Sequence, residues 1–282
     1  MNAFPSIVPS PHGRQTFDVP NTPGPVDVEL EGRALRLTNL DRVLWPRTGT
    51  TKGDMIRYSA SVASSLVPYV EGRPITMGRF PTGVDGPGWA QTECRGRPQW
   101  MATTPIQIRG GRIRNYCLVN DLPSLLWMAN QGAIELHVFL WRVTSSEQPT
   151  ELVLDLDPGI GTTWRDVSSA ALLGREELER IGLTSWAKAS GATGIHVHAP
   201  VDGATFTETK STAREVARRL SAREPSLIID RMRRSERTRR VFIDWGQNDP
   251  RRSMIAVYSL RAMPEPTSAL PLRWRDLERA AT

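Results

Sequence analysis

Two acidic residues at the end of an apolar run suggest a metal site. Residues 152–159 read LVLDLDPG. Side chains alternate along a strand, so Asp155 and Asp157 share one face, with Cα atoms about 6.6 Å apart at a rise of about 3.3 Å per residue. Adjacent like charges are unfavourable unless a cation or an arginine neutralises them. The pair therefore indicates one or two hard divalent metals, and the alternative is two ordinary acids at an exposed strand end.

A third carboxylate ends a second apolar run. Residues 241–249 read VFIDWGQND, which places Asp244 at the end of a predicted strand, with Gln247 and Asn248 directly after it. Three carboxylates would complete a two-metal site of the type that activates an attacking oxygen and stabilises a leaving pyrophosphate. Taken alone, Asp244 is more typical of an ordinary acid at a strand end.

A small-residue loop lies between these two segments. Residues 189–198 read ASGATGIHVH. The free backbone N–H groups of a loop containing Ser190, Gly191 and Gly194 could bind phosphate. His196 and His198 share one strand face, but no third zinc ligand follows at a suitable spacing. We therefore expect a structural or phosphate-contacting histidine rather than a zinc site.

Arginines cluster around the third acid. The chain has a net charge of +6, and only three of its 36 basic residues are lysine. Residues 231–240 contain six arginines, and Arg237, Arg240, Arg252 and Arg261 surround Asp244 in the sequence. Arginine binds phosphate through paired hydrogen bonds, although an isolated charge run is usually a solvated face. Acids, a small-residue loop and arginines together predict a nucleoside triphosphate site.

The elements that position these residues follow from the hydrophobic pattern. Thr51 is a suitable N-cap for the first helix, and a turn at Glu31-Gly32 joins the first two strands. The predicted helices are 51–69, 122–131, 162–181 and 209–223, and the predicted strands are the hairpin 26–37 and the segments 135–143, 151–156, 184–189, 195–199, 227–232, 240–244 and 254–259. This order is typical of an α+β fold with a mixed or antiparallel sheet.

Composition excludes several classes of protein. A chain of 282 residues suits one large domain or two small lobes, and no apolar run approaches the roughly 20 residues of a membrane span. Residues 1–25 lack the features of a secretory signal and are predicted to be a disordered or draped tail. The two cysteines, Cys94 and Cys117, make no disulfide framework and match no zinc spacing, so a reducing cytoplasm is the expected compartment.

These residues resemble the polymerase module of bacterial ligase D, within the archaeo-eukaryotic primase superfamily. The resemblance covers about residues 37–274. The matching segments, in chain order, are LTNLDRVLWPRTGTTKGD, GRPITMGRFPTGVDGPGW, ELHVFLW, LVLDLDPG, SGATGIHVH, VFIDWGQN and YSLRA. Seven ordered segments are far more specific than an isolated pair of aspartates.

The resemblance implies a two-lobed fold and a reaction. An N-terminal DNA-gripping lobe would occupy residues 26–145, and residues 146–282 would form a catalytic lobe with an RRM-like sheet. The implied reaction is attack by a primer 3′-hydroxyl on the α-phosphate of a nucleotide, with Mn²⁺ or Mg²⁺ as the cofactor. The implied substrates are NTPs, with ribonucleotides preferred, and DNA ends or short gaps during repair such as non-homologous end joining. A separate DNA ligase and an end-binding protein are the implied partners.

Residue roles also follow from the resemblance. Asp155, Asp157 and Asp244 match catalytic metal ligands. The residues that match or flank the incoming nucleotide are His137 at the sugar and Ser190, Gly194, His196, Arg237, Gln247, Arg252 and Arg261. Arg42 and Lys52 match a basic pair that binds the 5′-phosphate across a DNA gap, and Trp89 matches an aromatic residue that stacks on the template.

The chain departs from the family pattern at three positions. Thr193 replaces a loop lysine, Ala90 replaces the second of two aromatic residues, and Arg42 replaces a lysine. The lost lysine motivates an alternative, a catalytically silent module that binds DNA ends and 5′-phosphates. A glycosyltransferase with two metal-binding aspartates is a further alternative, but it explains neither the arginines nor the third acid.

Overall fold

The computed structural model describes residue 19 and residues 24–108, 110–231 and 233–282. Within these ranges the helices are α1 (Lys52–Val70), α2 (Leu122–Asn130), α3 (Trp164–Arg180), α4 (Phe206–Arg223) and α5 (Trp274–Ala281). The three long helices each begin at a threonine whose side chain accepts a hydrogen bond from the backbone N–H three residues later. An acid at that third position bonds back to the threonine N–H, which completes a capping box at Thr51, Thr163 and Thr205.

The strands alternate with these helices. In chain order they are β1 (Val26–Leu30), β2 (Arg33–Leu37), β3 (Val43–Trp45), β4 (Thr50–Thr51), β5 (Pro74–Arg79), β6 (Trp89–Gln91), β7 (Thr103–Gln107), β8 (Ile113–Leu118), β9 (Ala133–Phe139), β10 (Glu151–Pro158), β11 (Trp186–Ala189), β12 (Ile195–Pro200), β13 (Ile228–Ile229), β14 (Val241–Asp244), β15 (Ser253–Ile255), β16 (Leu260–Arg261), β17 (Thr267–Ser268) and β18 (Pro271–Leu272).

The first six-stranded sheet carries the predicted acids. Its strand order is β13-β14-β10-β12-β11-β18, and every pair is antiparallel except β13 with β14. Leu154, Leu156 and Val197 on one face pack with α3 and α4 in a buried apolar cluster. Because side chains alternate, Asp155 and Asp157 lie on the opposite face. The prediction of an α+β fold with a mixed sheet is confirmed.

The second sheet brings distant parts of the chain together. Its strand order is β15-β9-β5-β8-β7, with β6 paired to β5. Strand β15 follows β14 of the first sheet in sequence but pairs with β9, through partners such as Ile255 and His137. Phe139, Val153 and Met254 belong to a further buried cluster that joins the two sheets. The division at residue 145 therefore stays a prediction, because β15 extends a sheet made from the earlier residues.

A buried polar cluster also joins the two parts. The Glu151 carboxylate accepts a hydrogen bond from Tyr69 Oη at 3.0 Å and lies 3.2 Å from Arg73 Nη2 and 2.7 Å from His198 Nδ1. Burial raises the pKa of Glu151, but His198 and then Arg73 lower it more, to about 2. The carboxylate is thus charged and depends on these partners, since an unpaired buried charge is strongly unfavourable.

We expect Arg73→Met to destabilise the fold by roughly 3 kcal/mol, because it leaves a buried carboxylate without its guanidinium partner. Urea unfolding would measure the free energy of unfolding. Arg36→Met is the matched control, since the Arg36 side chain is 64% exposed and its ion pair with Asp27 spans 3.6 Å. If Arg73→Met lowered the free energy of unfolding no more than Arg36→Met does, the structural role of the cluster would be contradicted.

The predicted elements agree with the structure to within a few residues, with some exceptions. The helices 51–69, 122–131, 162–181 and 209–223 are all present, as is the hairpin 26–37. The predicted strands 135–143, 227–232 and 254–259 are shorter than expected. Strands β3 to β8, strands β16 to β18 and helix α5 were not predicted. These strands are short, and several lie beside glycine or proline, so they show little periodicity.

Two further expectations concern the cysteines and the N-terminal residues. Cys94 and Cys117 form a disulfide with their Cα atoms 5.1 Å apart, a pairing that their spacing in the sequence did not indicate. The hydrogen bond from Cys94 N to Asn115 O at 2.7 Å holds this loop beside β8.

Most of the predicted N-terminal tail lies outside the described residues. Val19, which is described, is buried in the core, and its carbonyl accepts a hydrogen bond from Arg57 at 3.2 Å.

Candidate active site

Strand register brings the three acids together. Asp155 on β10 is the direct partner of Asp244 on β14, and Asp157 lies two residues further along β10. Opposite residues in an antiparallel pair have Cα atoms about 4.5–5.5 Å apart. Asp155 is buried, whereas Asp157 and Asp244 are partly exposed. The acids therefore form one cluster at the end of adjacent strands, with its outer side open.

Neighbouring side chains hold two of these carboxylates. Gln247 Nε2 donates to Asp155 Oδ2 at 3.2 Å, and His196 Nε2 lies 3.3 Å from Asp155 Oδ1. Asp244 Oδ1 accepts from the Gly246 N–H at 2.9 Å, and Asp244 Oδ2 accepts from Arg252 Nη1 at 3.2 Å. The structure thus brings five of the predicted site residues into direct side-chain contacts, Gln247 and His196 with Asp155 and Arg252 with Asp244.

The acids repel one another electrostatically. Burial and the charges of Asp157 and Asp244 raise the pKa of Asp155 to about 8. Burial and the charge of Asp244 also raise the pKa of Asp157, which Arg237 lowers. A bound cation would remove this repulsion and favour the ionised carboxylates.

The donor chemistry fits a hard divalent cation. Three carboxylates with an excess of negative charge are the oxygen ligands that Mg²⁺ and Mn²⁺ prefer. No group of three or more His, Cys, Asp or Glu side chains in the described part of the chain has preassembled ligand geometry. Asp244 Oδ2 is paired with Arg252, so metal binding would require that carboxylate to exchange an arginine for a cation.

A buried lysine adjoins the acids, and the sequence analysis missed it. Lys188 on β11 is fully buried, and its Nζ lies 3.0 Å from His196 Nδ1. Burial lowers the pKa of Lys188 to about 7, whereas Asp155 and Glu151 raise it. Burial and the charge of Lys188 lower the pKa of His196 well below its ordinary value, so this imidazole is neutral.

The loop 190–194 is more closed than the sequence suggested. Ser190 Oγ accepts hydrogen bonds from the N–H groups of Ala192 at 3.3 Å and Gly194 at 3.0 Å. The expectation of free N–H groups is therefore wrong for these two residues, because the serine side chain folds back over its own loop. A Cβ atom at Gly194 would lie 2.7 Å from Leu156 O, so glycine is needed where the loop crosses β10.

Two predicted nucleotide-site residues share a carboxylate. Glu135 Oε2 lies 2.9 Å from His137 Nε2, and Glu135 Oε1 lies 3.2 Å from Arg261 Nε. Although burial raises the pKa of Glu135, the His137 hydrogen bond and the Arg261 charge hold it below its ordinary value. Glu135 was not predicted as a site residue, although its position two residues before His137 on one strand places both side chains on the same face.

Arg237, in the 231–240 segment, lies near enough to the acids to act on Asp157 electrostatically. The Arg237 guanidinium lies over the Phe242 ring, 3.7 Å from its centroid, and its charge lowers the pKa of Asp157. A Cβ atom at Gly159 would lie 1.7 Å from Arg237 O, so this glycine allows the arginine segment to pass directly beside the strand end.

We expect Gly159→Ala to reduce the nucleotide addition that the resemblance implies by roughly 100-fold, because a displacement of about 1 Å in a catalytic group has that effect. The added methyl group must push the backbone of Arg237 away from the strand end. Gly174→Ala is the matched control, since its methyl group would meet only the end of the Leu154 side chain, at 3.2 Å. Equal activity of the two variants in primer extension would contradict this role for the close approach.

A second group of predicted residues lies on the other sheet and around α1. The Lys52 side chain is buried and donates to Thr38 O at 2.6 Å. Burial lowers the pKa of Lys52 to about 8, with smaller contributions from Arg42 and Arg79. Arg79 lies 5.3 Å from the centroid of the half-exposed Trp89 ring. The structure thus adds Arg79 to the predicted group and forms a cationic cluster beside an aromatic surface.

The chain is similar in sequence to known proteins. A family model described as LigD, primase-polymerase domain, matches residues 51–282. The multifunctional non-homologous end joining DNA repair protein LigD of Mycobacterium tuberculosis is 36% identical over 252 residues, which are 86% of this chain and 33% of that protein. The bifunctional LigD of Bacillus subtilis is 29% identical over 254 residues, covering 88% and 40%.

A solved structure is also similar. The polymerase domain of Mycobacterium tuberculosis ligase D, in complex with DNA, aligns with a TM-score of 0.82 at 37% identity, covering 87% of this chain and 89% of that one. Among the described residues, no helix has the length and apolar character to span a membrane. The chain spans about a third of the M. tuberculosis relative. It belongs to the LigD primase-polymerase domain family, and it is a nucleotidyltransferase of the primase-polymerase type.

Proposed function

We propose that the protein adds nucleotides, with a preference for ribonucleotides, to primer ends or short gaps in DNA during break repair. The observation that carries this proposal is the acid cluster, in which Asp155 and Asp244 are direct partners across two strands and Asp157 adjoins them. The relatives named as non-homologous end joining proteins support a repair role in a bacterial cytoplasm, in contact with nucleoid DNA. A separate DNA ligase and an end-binding protein are the proposed partners.

The metal would be held by the three aspartates. Two bound Mn²⁺ or Mg²⁺ ions would favour ionisation of the primer 3′-hydroxyl and neutralise the charge that develops on the leaving pyrophosphate. The protein's own contribution is to fix the carboxylates. Gln247 and His196 contact separate oxygens of Asp155, so this side chain cannot rotate without losing one contact.

The nucleotide would lie between the acid cluster and β9. Arg237, Arg252 and Arg261 would hold the triphosphate through charge-assisted hydrogen bonds, and the loop from Ser190 to Gly194 would contact it from β12. His137 would adjoin the sugar. Its contact with Glu135 at 2.9 Å fixes the imidazole, which supports a role in selecting ribose by its 2′-hydroxyl.

DNA would be bound by the residues around α1 and β5. Arg42 and Lys52 are proposed to bind the 5′-phosphate on the far side of a gap, and Trp89 to stack on a template base. Lys52 is buried and Arg42 is exposed, so Arg42 would make the outer contact. Residues 26–145 would then form the DNA-gripping lobe and residues 146–282 the catalytic lobe.

Substrate preference tests this proposal. A primer annealed opposite a short gap is extended with Mn²⁺, with NTPs or dNTPs, and with a downstream 5′-phosphate or 5′-hydroxyl. The proposal predicts faster addition of NTPs and faster extension of the phosphorylated gap, with the phosphate preference reduced about 10-fold in Arg42→Ala. Binding that depends on the 5′-phosphate without any incorporation would favour the silent end-binding alternative instead.

We expect Thr193→Lys to lower the KM for NTP by about 5-fold, because an added cation near the triphosphate restores one charge-assisted hydrogen bond. The side chain at 193 lies in the loop directly before Gly194. Steady-state gap filling at varied NTP concentration would measure the effect, with Thr193→Met as the control for side-chain length. A KM equal to that of the methionine variant would show that this position does not face the triphosphate.

A further inference from the structure

A row of buried polar side chains crosses three strands and ends at the acid cluster. Lys188 on β11 is the register partner of His196 on β12, which in turn is the partner of Asp155 on β10. Lys188 Nζ lies 3.0 Å from His196 Nδ1, and His196 Nε2 lies 3.3 Å from Asp155 Oδ1. The exposed fractions are 0%, 6% and 7% respectively, so water cannot readily replace these contacts.

The His196 tautomer follows from the groups on its two sides. An ionised carboxylate has acceptors and no donor, so an Asp155 that binds a cation favours a proton on the facing Nε2. A neutral imidazole that accepts at Nδ1 carries its proton on Nε2. Nδ1 is then free to accept, and Lys188 donates to it through an N–H that the ammonium and the neutral amine both have. The other tautomer would place a lone pair against the ionised carboxylate, which is repulsive.

We propose that Lys188 is a positioning residue, which holds His196 in the Nε2–H tautomer and thereby fixes the orientation of the Asp155 carboxylate for metal binding. This inference rests on the proposed function. Gln247 Nε2 donates to the second Asp155 oxygen at 3.2 Å, so the two oxygens contact different side chains. Loss of the His196 contact at Oδ1 would leave the carboxylate held on one side only.

A purely structural role does not explain a lysine at this position. Lys188 lies between Ala187 and Ala189 on a strand, and its side chain is fully buried. Burying an ammonium is unfavourable, whereas an apolar side chain of similar length would fill the same space without that cost. The cation is therefore explained by what it contacts, which is the acceptor nitrogen of His196.

The tautomer itself is measurable in the metal-free wild-type protein at pH 9, above the pKa of about 8 to which burial and the other two acids raise Asp155. The chain has four histidines, so two-bond ¹H–¹⁵N correlation spectra of ¹⁵N-histidine-labelled protein are simple enough to assign, with His196→Gln identifying the relevant signals. The expected result is an unprotonated Nδ1 and a protonated Nε2 at His196. A protonated Nδ1 at this residue would overturn the proposal.

Lys188→Met separates positioning from packing, because methionine keeps the length of the side chain and removes its donors. We expect the affinity for Mn²⁺, measured by titration with electron paramagnetic resonance, to fall about 10-fold, as for other groups that orient a metal ligand. In a His196→Gln background the amide cannot tautomerise but still presents an N–H donor. There we expect Lys188→Met to change the affinity less than 2-fold, and an equal loss in both backgrounds would overturn the proposal.

The two measurements keep this inference distinct from the proposed function. A wild-type protein that binds no Mn²⁺ and adds no nucleotide would contradict the proposed function, whereas the tautomer of His196 is read without metal or substrate. Wild-type protein that binds Mn²⁺ no more tightly than Lys188→Met would overturn the positioning role alone. Should Lys188→Met fail to fold, which thermal unfolding would reveal, the tautomer in the wild-type protein decides the question.

Discussion

Asp155→Asn should slow nucleotide addition by about 10³-fold or more while DNA binding is retained. The substitution removes one of three carboxylates proposed to hold the metals, whose stabilisation of the transition state amounts to several kcal/mol. Primer extension on a gapped duplex would measure the rate, and a mobility shift on the same duplex would measure binding. Asp249→Asn is the matched control, since Asp249 pairs with Lys210 at 2.8 Å and lies outside the acid cluster. Equal rates for the two variants would contradict the role of Asp155.

The same substitution should stabilise the metal-free protein. The pKa of Asp155 is raised to about 8 by burial and by Asp157 and Asp244, above an unfolded-state value of about 3.9. The folded state therefore favours the protonated acid, and its stability should fall as the pH rises from about 4 to about 8. We expect Asp155→Asn to raise the Tm at pH 8 by several degrees and to lose the stabilisation by Mn²⁺ that the wild-type protein shows. A lower Tm in the variant would indicate a structural acid.

Arg261→Met should raise the KM for NTP by about 100-fold, with a smaller effect on DNA binding. Its guanidinium is held by Glu135 at 3.2 Å and lies near enough to Lys188 and His196 to lower the pKa of both. A charge-assisted hydrogen bond to phosphate contributes up to about 3 kcal/mol, which corresponds to that factor.

Gap filling at varied NTP concentration would separate KM from kcat for this variant. Arg251→Met is the control, because Arg251 is exposed and precedes the Arg252 that contacts Asp244. A KM for Arg261→Met within 3-fold of the control would contradict its proposed contact with the triphosphate. Loss of DNA binding in the same variant would instead indicate that Arg261 supports the fold of β16.

Alternation along a strand was sufficient to place part of the site. Asp155 and Asp157 share a face for that reason, and the same rule applies to His196 with His198. The direct pairing of Asp155 with Asp244 was not predictable in this way, because the register between β10 and β14 depends on the packing of the whole sheet. Membership of the family could be recognised only from the ordered motifs taken together.

The residues and contacts that the sequence did not predict have one physical feature in common. Lys188 lies in an alanine-rich strand, and nothing local distinguishes it from a solvated lysine until β11 pairs with β12. Arg79 likewise joins Lys52 only through the approach of β5 to α1. The disulfide between Cys94 and Cys117 depends on a loop that returns beside β8 after 23 residues. Each contact is set by tertiary structure, which a local pattern does not encode.

The most direct test of the central claim is the position of manganese in a crystal of the protein with a gapped duplex and a non-hydrolysable NTP. Anomalous scattering at the manganese edge would locate the metal independently of any assumed ligand. We expect anomalous density within about 2.2 Å of carboxylate oxygens of Asp155, Asp157 and Asp244, close to the α-phosphate of the nucleotide. Manganese bound elsewhere, in a protein that extends primers, would contradict the assignment of these three aspartates as the catalytic metal site.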